Sequence, residues 1–461
     1  MRVLKFGGTS VGTAERIRRV ADIVLDAAAR ERVAVVVSAM AGVTDALVAA
    51  AEGAARGDVD GRTVVERLAD RHLSALALLS PNGRRPIAEA AVRAALDALA
   101  AQLDAARLVG ECPPARRDAI LATGERLVAP LLAAKLRARG LDALVVDGSG
   151  LIVTDAAFGE ATVDWSATAR RIEAAFAGLP PTAVPVITGF IGADSAGRTT
   201  TLGRGGSDYT ASLVGAALWA SAVEIWTDVD GVLTAPPRLV ADAVTVPRLS
   251  YAEAAALAAL GAKVLHPKCI APATQRGVPI LVCNSFNPSG PRTTITAEGD
   301  GRSGEPKAVA PLECPSKEGA IELAGSPWKH LPGTIARPRQ SRSRLEAAPT
   351  EHWGRCNEIA SKGQPLGVLA VVGEGIGAHP RMADRLGAVL GGGGHRVLAL
   401  AAEPRGLAVA ALVPAAELAA AAVRLHAGLE LGAARCEGPG AACPPATHSH
   451  EHMASGGKAT R

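Results

Sequence analysis

The sequence predicts an α/β fold built on a parallel sheet, followed by a smaller α+β unit. Three observations predict it. Strand-like and helix-like patterns alternate through about the first 300 residues. Val33–Val37 (V-A-V-V-V) is a continuous β-branched run, suited to a strand buried on both faces. Polar and glycine-rich clusters follow the strand-like segments, where open parallel sheets bind ligands.

Arg2–Phe6 reads as the first strand and Gly7–Gly12 as a glycine-hydroxyl loop. Ala14–Ala29 is a helix, with Ile17, Val20, Ile23 and Val24 at helical spacing. After Val33–Val37 comes the loop Ser38–Thr44, and Asp45 begins another helical stretch. Residues 60–140 are mostly helical by pattern, and Ala143–Val146 and Val184–Thr188 are strand-like. The latter ends in Gly189-Phe190-Ile191-Gly192, and Thr200–Tyr209 follows as T-T-L-G-R-G-G-S-D-Y before a helix through Ala217. Ala222–Trp226 is a strand ending at Thr227-Asp228-Val229-Asp230-Gly231. The helix Tyr251–Leu260 leads to Gly261–Pro267, and the strand Pro279–Cys283 closes with Asn284-Ser285-Phe286.

A boundary falls near residue 300, in the Gly/Asp/Ser-rich stretch Ala297–Pro306. Ala320–Leu323 reads as a strand, and 326–366 is rich in Pro, Arg, Ser and Glu with weak periodicity, as in poorly ordered segments. Then Val368–Val372, Met382–Leu390, Val397–Ala401, Ala408–Val413 and Ala415–Leu429 give a β-α-β-β-α succession, a ferredoxin-like unit. The expected domains are 1–300, 318–435 and a disordered tail, 436–461.

Composition narrows the function. Of 461 residues, 49 are basic and 45 acidic, a net charge of only +4, and aromatics are 3%. Without a basic stripe, nucleic acid is a poor partner. The seven cysteines are scattered and form no C-x-x-C pair, as expected of reduced thiols. The opening M-R-V-L-K-F-G-G lacks a signal-peptide core, and the apolar runs are too short for a membrane span. The expectation is a soluble cytoplasmic protein with no membrane partner.

Thr200–Tyr209 sets three glycines around Arg204, then Ser207 and Asp208. Glycines let backbone N–H groups approach a ligand, and the following helix start is an anion site. A tight turn ahead of a helix is the bland alternative. Lys5, just ahead of Gly7-Gly8, can place an ammonium against a transferring phosphoryl group, although a solvated strand end is the usual fate of such a Lys. Walker, H-R-D and D-F-G motifs are lacking, so any phosphate machinery is of another kind. His266, before Pro267, reads as a turn or packing residue rather than a base.

K-F-G-G-T-S-V (Lys5–Val11) resembles the opening signature of aspartate kinases, in the amino-acid-kinase fold. The resemblance continues in order through Val35–Leu47, T-G-E-R-L (Thr123–Leu127), Val184–Gly192, T-L-G-R-G-G-S-D-Y-T (Thr201–Thr210), W-T-D-V-D-G-V (Trp226–Val232) and G-A-K-V-L-H-P (Gly261–Pro267). It implies a three-layer αβα sandwich with a mostly parallel sheet. It also implies ATP-dependent phosphorylation of the side-chain carboxylate of L-aspartate, the first step towards lysine, threonine, methionine and isoleucine. By the same resemblance, Lys5 and Asp208 are catalytic, and Thr44, Glu125, Arg204 and Ser207 bind the substrate. Lys5, Gly7, Gly8, Ser10, Thr227, Asp228, Leu233, Arg238 and Lys263 bind the nucleotide, with Mg²⁺ held mainly on phosphate oxygens and no protein metal ligands. The alternatives are another carboxylate kinase of the same fold and a catalytically weak, amino-acid-binding regulatory subunit.

Some positions depart from the family's pattern. Leu233 stands where an aromatic is usual, and Pro236-Pro237 where Asp-Pro is usual. In the family, tandem ACT modules follow the kinase and sense an end-product amino acid. Gly325–Arg337 and Gly373–Leu386 resemble ACT openings, the second with Arg381 in place of a usual Gly. The first repeat is degenerate, and one complete unit, about 367–431, is recognisable. The resemblance thus implies an amino-acid effector of open identity and a homo-oligomer, a dimer or higher.

Overall fold

The computed structural model describes residues 1–80, 85–260, 265–301, 303–313, 366–379, 381–402 and 406–432. Lys263, the expected strand Ala320–Leu323, the fragment Gly325–Arg337, segment 326–365 and the tail 436–461 lie outside the described residues.

The larger unit opens with β1 (Arg2–Phe6), α1 (Ala14–Ala28), β2 (Val33–Val37) and α2 (Val43–Arg56). A helical stretch follows: α3 (Gly61–Leu79), α4 (Pro86–Val109), α5 (Pro114–Leu121) and α6 (Thr123–Ala138). Next come β3 (Asp142–Val146), α7 (Trp165–Ala177), β4 (Ala183–Thr188), β5 (Ile191–Ala193), β6 (Thr199–Thr201) and α8 (Gly206–Ala217). The unit ends with β7 (Ala222–Thr227), β8 (Arg248–Ser250), α9 (Tyr251–Ala259), α10 (Pro267–Arg276), β9 (Ile280–Asn284) and β10 (Thr293–Thr296).

The main sheet runs β3-β4-β2-β1-β7-β9-β10-β8 among the described residues. Every pairing is parallel except β9 with β10. Successive side chains of a strand point to opposite faces, and the core divides accordingly. Val3, Val36 and Ile225 join α7, α8, α9 and α10 on one face. Leu4, Val35 and Trp226 join α1, α3, α4 and α6 on the other. The result is a three-layer αβα sandwich, which is why β2 is apolar throughout. Strand β1 is central. The chain builds outward from it to β2 and β4 on one side, then returns to add β7 and β9 on the other. The crevice at such a reversal is where open α/β sheets bind ligands.

The smaller unit comprises β11 (Ala308–Glu313), β12 (Leu366–Val372), α11 (Met382–Gly392), β13 (Ala399–Ala402), β14 (Ala408–Pro414) and α12 (Leu418–Gly428). Its antiparallel sheet runs β11-β12-β14-β13. The β-α-β-β-α order expected from the sequence is present, with an added edge strand, β11, that starts before residue 318. Leu369, Val371 and Val409 meet Leu386, Leu390 and Leu425 of the helices on one sheet face. Val368, Ala370 and Leu412 on the other face join the core of the larger unit. Among the described residues, no helix is long and apolar enough to cross a membrane.

Candidate active site

The site forms where β1, β2, β4, β7 and β9 end. Backbone hydrogen bonds tie these ends together. The amide of Gly7 donates to Trp226 O (3.1 Å), Ser38 to Phe6 O (3.1 Å), Ala41 to Gly8 O (3.1 Å), Gly189 to Val37 O (3.0 Å) and Ser285 to Thr227 O (2.8 Å). The β1 loop packs so tightly against the β2 loop that a side-chain carbon at Gly8 would lie 2.8 Å from Ala39 O.

Lys5 is 8% exposed and extends from the penultimate position of β1. Its Nζ lies 2.5 Å from Oδ1 of Asp208, in the first turn of α8. The turn before α8 has Gly203 at φ 74° and Gly205 at φ 71°, a region that disfavours side chains. Arg204 is exposed between them and makes no ion pair among the described residues. Ser207, buried, shares the first turn of α8, whose leading amides lack intrahelical acceptors. The helix starts at Gly206, so Ser207 and Asp208 belong to it rather than to the preceding loop.

Glu125 occupies the first turn of α6 and is 3% exposed. Its Oε1 accepts from the Ala39 amide at 3.0 Å, whereas Oε2 is buried with no partner among the described residues. Burial pushes its carboxyl up to about 8, against the pull of the Ala39 amide and Lys5. A buried, half-satisfied carboxyl facing other polar groups is unusual unless something binds to it. Thr44 is half-buried in the first turn of α2.

The nucleotide candidates divide. The Gly7 amide is engaged by Trp226 O, so it is not the free donor expected, whereas the Gly8 and Thr9 amides have no acceptor among the described residues. The Ser10 hydroxyl is buried against Ser285 Oγ (2.8 Å) and braces the β1 and β9 loops. Thr227 donates to Oδ1 of Asp228 (3.1 Å) at the end of β7. Leu233 is half-buried and bridged to Thr245, and Arg238 is exposed beyond it. Pro236 and Pro237 open a turn in which Pro236 O accepts from Leu239 and Val240. Proline suits that position because no amide donor is needed there. His266 caps α10, its Nδ1 accepting from the Lys268 amide at 3.3 Å.

Several contributors carry no sequence motif. Arg71 on α3 donates to Ala41 O (3.0 Å) and Gly12 O (3.3 Å), and Arg16 donates to Thr9 O (3.0 Å). These guanidinium groups cap loop carbonyls and add positive charge beside the glycine loop. Asn284 donates to Oδ1 of Asp230 at 2.8 Å, holding the β7 loop to β9. Arg71 and Arg16 lie on helices with ordinary apolar periodicity, so only the tertiary fold reveals their targets.

The arrangement resembles known proteins. The model of the amino acid kinase family matches residues 1–284. A bifunctional aspartokinase/homoserine dehydrogenase of Haemophilus influenzae is 30% identical over 446 residues, 90% of this chain and 54% of that protein. The lysine-sensitive aspartokinase 3 of Escherichia coli is 39% identical over 296 residues, 64% of this chain and 63% of that protein. The alignment thus spans less than two thirds of either relative. The crystal structure of Escherichia coli aspartokinase III in complex with aspartate and ADP, described as the R-state, superposes with a TM-score of 0.72 at 29% identity. That match covers 93% of this chain and 100% of the other.

Proposed function

The chain belongs to the amino acid kinase family, and from that premise we propose that it is an aspartate kinase, transferring the γ-phosphoryl group of ATP to the side-chain carboxylate of L-aspartate. The observation that carries the reading is the Lys5–Asp208 pair at the sheet's reversal point, with the unpartnered Oε2 of Glu125, in the first turn of α6, buried beside the β2 loop. The relatives named as aspartokinases, one of them bound to aspartate and ADP, support it.

The substrate carboxylate is already ionised at neutral pH and needs no general base. Its oxygen forms the new bond to phosphorus as the bond to the β–γ bridging oxygen breaks. ADP leaves with that electron pair, giving 4-phospho-L-aspartate. Positioning and charge neutralisation are what the protein supplies. Lys5 would meet the charge on the transferring group, Asp208 would orient Lys5, and the Gly8 and Thr9 amides would add donors. Arg204 would fork onto the substrate's other carboxylate, and Glu125 would meet its ammonium, with Thr44 and Ser207 alongside. Gly7 would leave space beside Lys5, and Ser10 would brace the loop. Thr227, Asp228, Leu233, Arg238 and Lys263 would hold the rest of the nucleotide.

Mg²⁺ would be held mainly on the phosphate oxygens of the nucleotide. When bound, it would offset triphosphate charge. We further place an amino-acid effector on the smaller unit, as the lysine-sensitive relative suggests, and a homo-oligomer of dimeric or higher order.

ADP release should be followed with L-aspartate, L-glutamate and N-acetyl-L-glutamate in turn, then with lysine or threonine added. Turnover with aspartate alone is the expected result. Turnover only with the other acceptors would make this a different carboxylate kinase, and binding without turnover a regulatory subunit.

A further inference from the structure

Leu233 and Arg238 lie on a hairpin-like segment, 232–246. Within it, Thr234 N donates to Val244 O and Val246 N to Val232 O, both at 2.8 Å. The smaller unit grips this segment directly. The amide of Val309, on β11, donates to Thr234 O at 2.8 Å. Nε2 of His426, on α12, lies 2.9 Å from Thr234 Oγ1, and the His426 side chain is 1% exposed. That hydroxyl also accepts from the Val244 amide at 3.1 Å, so one buried contact locks both limbs of the segment. Leu239, at the turn, packs against the smaller unit's own core. Burial holds the His426 imidazole below its usual range, only partly opposed by Asp242 at 3.8 Å, and so favours the neutral ring.

A second anchor keeps the smaller unit from pivoting. Lys307, just before β11, is buried, with its Nζ 2.9 Å from Glu253 Oε1 and 2.7 Å from Asp300 Oδ1. Glu253 closes the capping box of α9 and also accepts from the Glu374 amide of the smaller unit at 2.7 Å. Helix α9 leads into the segment that carries Lys263. The 232–246 segment and helix α9 are therefore both braced by the smaller unit.

We propose that His426 is a positioning residue for nucleotide binding: through Thr234, the smaller unit sets the 232–246 segment in the place where Leu233 and Arg238 can meet the nucleotide. The proposal rests on the kinase reading above, and it makes the smaller unit part of the nucleotide site's framework. The predicted signature is a split. Nucleotide affinity depends on His426, whereas the aspartate clamp, built on α2, α6 and the start of α8, does not.

The test uses the full chain, with MgADP binding followed by calorimetry and aspartate KM by turnover at saturating ATP. H426A should bind MgADP about tenfold more weakly, with aspartate KM and kcat within about twofold of wild type. H426Q, whose amide reaches the Nε2 position, should recover to within about threefold of wild type. T234V, which removes the hydroxyl from the opposite side, should repeat the H426A loss and serves if H426A does not fold. A folded H426A or T234V with unchanged MgADP affinity overturns the inference alone. Equal losses for nucleotide and aspartate, unrecovered in H426Q, also overturn it, since they indicate general destabilisation. A wild-type chain that binds no MgADP overturns it together with the kinase reading.

Discussion

Nζ of Lys5 lies 2.5 Å from Oδ1 of Asp208, joining the central strand to the first turn of the helix after the glycine turn. Both side chains are largely buried, so the pair is shielded from solvent and fixed in direction. Lys5→Ala removes the charge that the proposed mechanism sets against the phosphoryl group. Turnover is expected to fall by about 10²–10³-fold or more, as when other pre-organised electrostatic groups are removed. The far-ultraviolet circular dichroism spectrum should stay unchanged, and the steady-state rate measures the loss.

Glu125 gives a pH signature. Its carboxyl titrates near 8 in the fold, against an ordinary 4.5, with burial the main cause. Below 4.5 the folded and unfolded chains both hold the proton. Between 4.5 and 8 the unfolded chain releases it while the folded chain keeps it, so this contribution to stability falls as pH rises and levels off above 8. Melting temperatures measured from pH 5 to pH 9 should show a decline in the wild type that is shallower in Glu125→Gln. The amide keeps an acceptor for Ala39 but cannot pair with an ammonium, so aspartate KM should also rise, by about tenfold or more.

Gly205 permits no side chain. Its φ is 71°, and an added carbon would lie 2.5 Å from Cβ of His266, the cap of α10. Gly205→Ala combines backbone strain with overpacking and should cost about 2–4 kcal/mol. Urea denaturation measures this. Activity should fall too, because the turn carries Arg204 and sets the start of α8.

Lys307 is the cation of a buried charge group with Glu253 and Asp300. Lys307→Met leaves the Glu253 carboxylate, 0% exposed, without its cation. Removing one partner of such a pair should cost about 3–5 kcal/mol. In the double variant with Glu253→Gln the loss should be smaller than the sum of the single losses, and a denaturation cycle reads the difference.

Much of this architecture is legible in the sequence because buried parallel strands are written as apolar runs. Val33–Val37 and Ala183–Thr188 pack on both faces and have no polar side to confuse the pattern. Lys5, Arg204 and Asp208 are legible because glycine punctuation marks the turns that present them. Other features escape for physical reasons. Strands β5, β6 and β8 have three residues each, too few to show a period. Strand β11 acquires its meaning only by pairing with β12, far along the chain. The Gly7 amide looks like a ligand donor until β7 is placed beside β1 and Trp226 O takes it. Arg71 and His426 sit on regular helices, and nothing local announces that one caps the loops after β1 and β2 and the other reaches Thr234.

The central claim is phosphoryl transfer to a side-chain carboxylate at the site of Lys5. Trapping the product with hydroxylamine, in the presence of MgATP and L-aspartate, tests it most directly. The account predicts ATP-dependent formation of the β-hydroxamate of aspartate, lost in Lys5→Ala. Formation of no aspartyl hydroxamate, or an undiminished yield in Lys5→Ala, would contradict it.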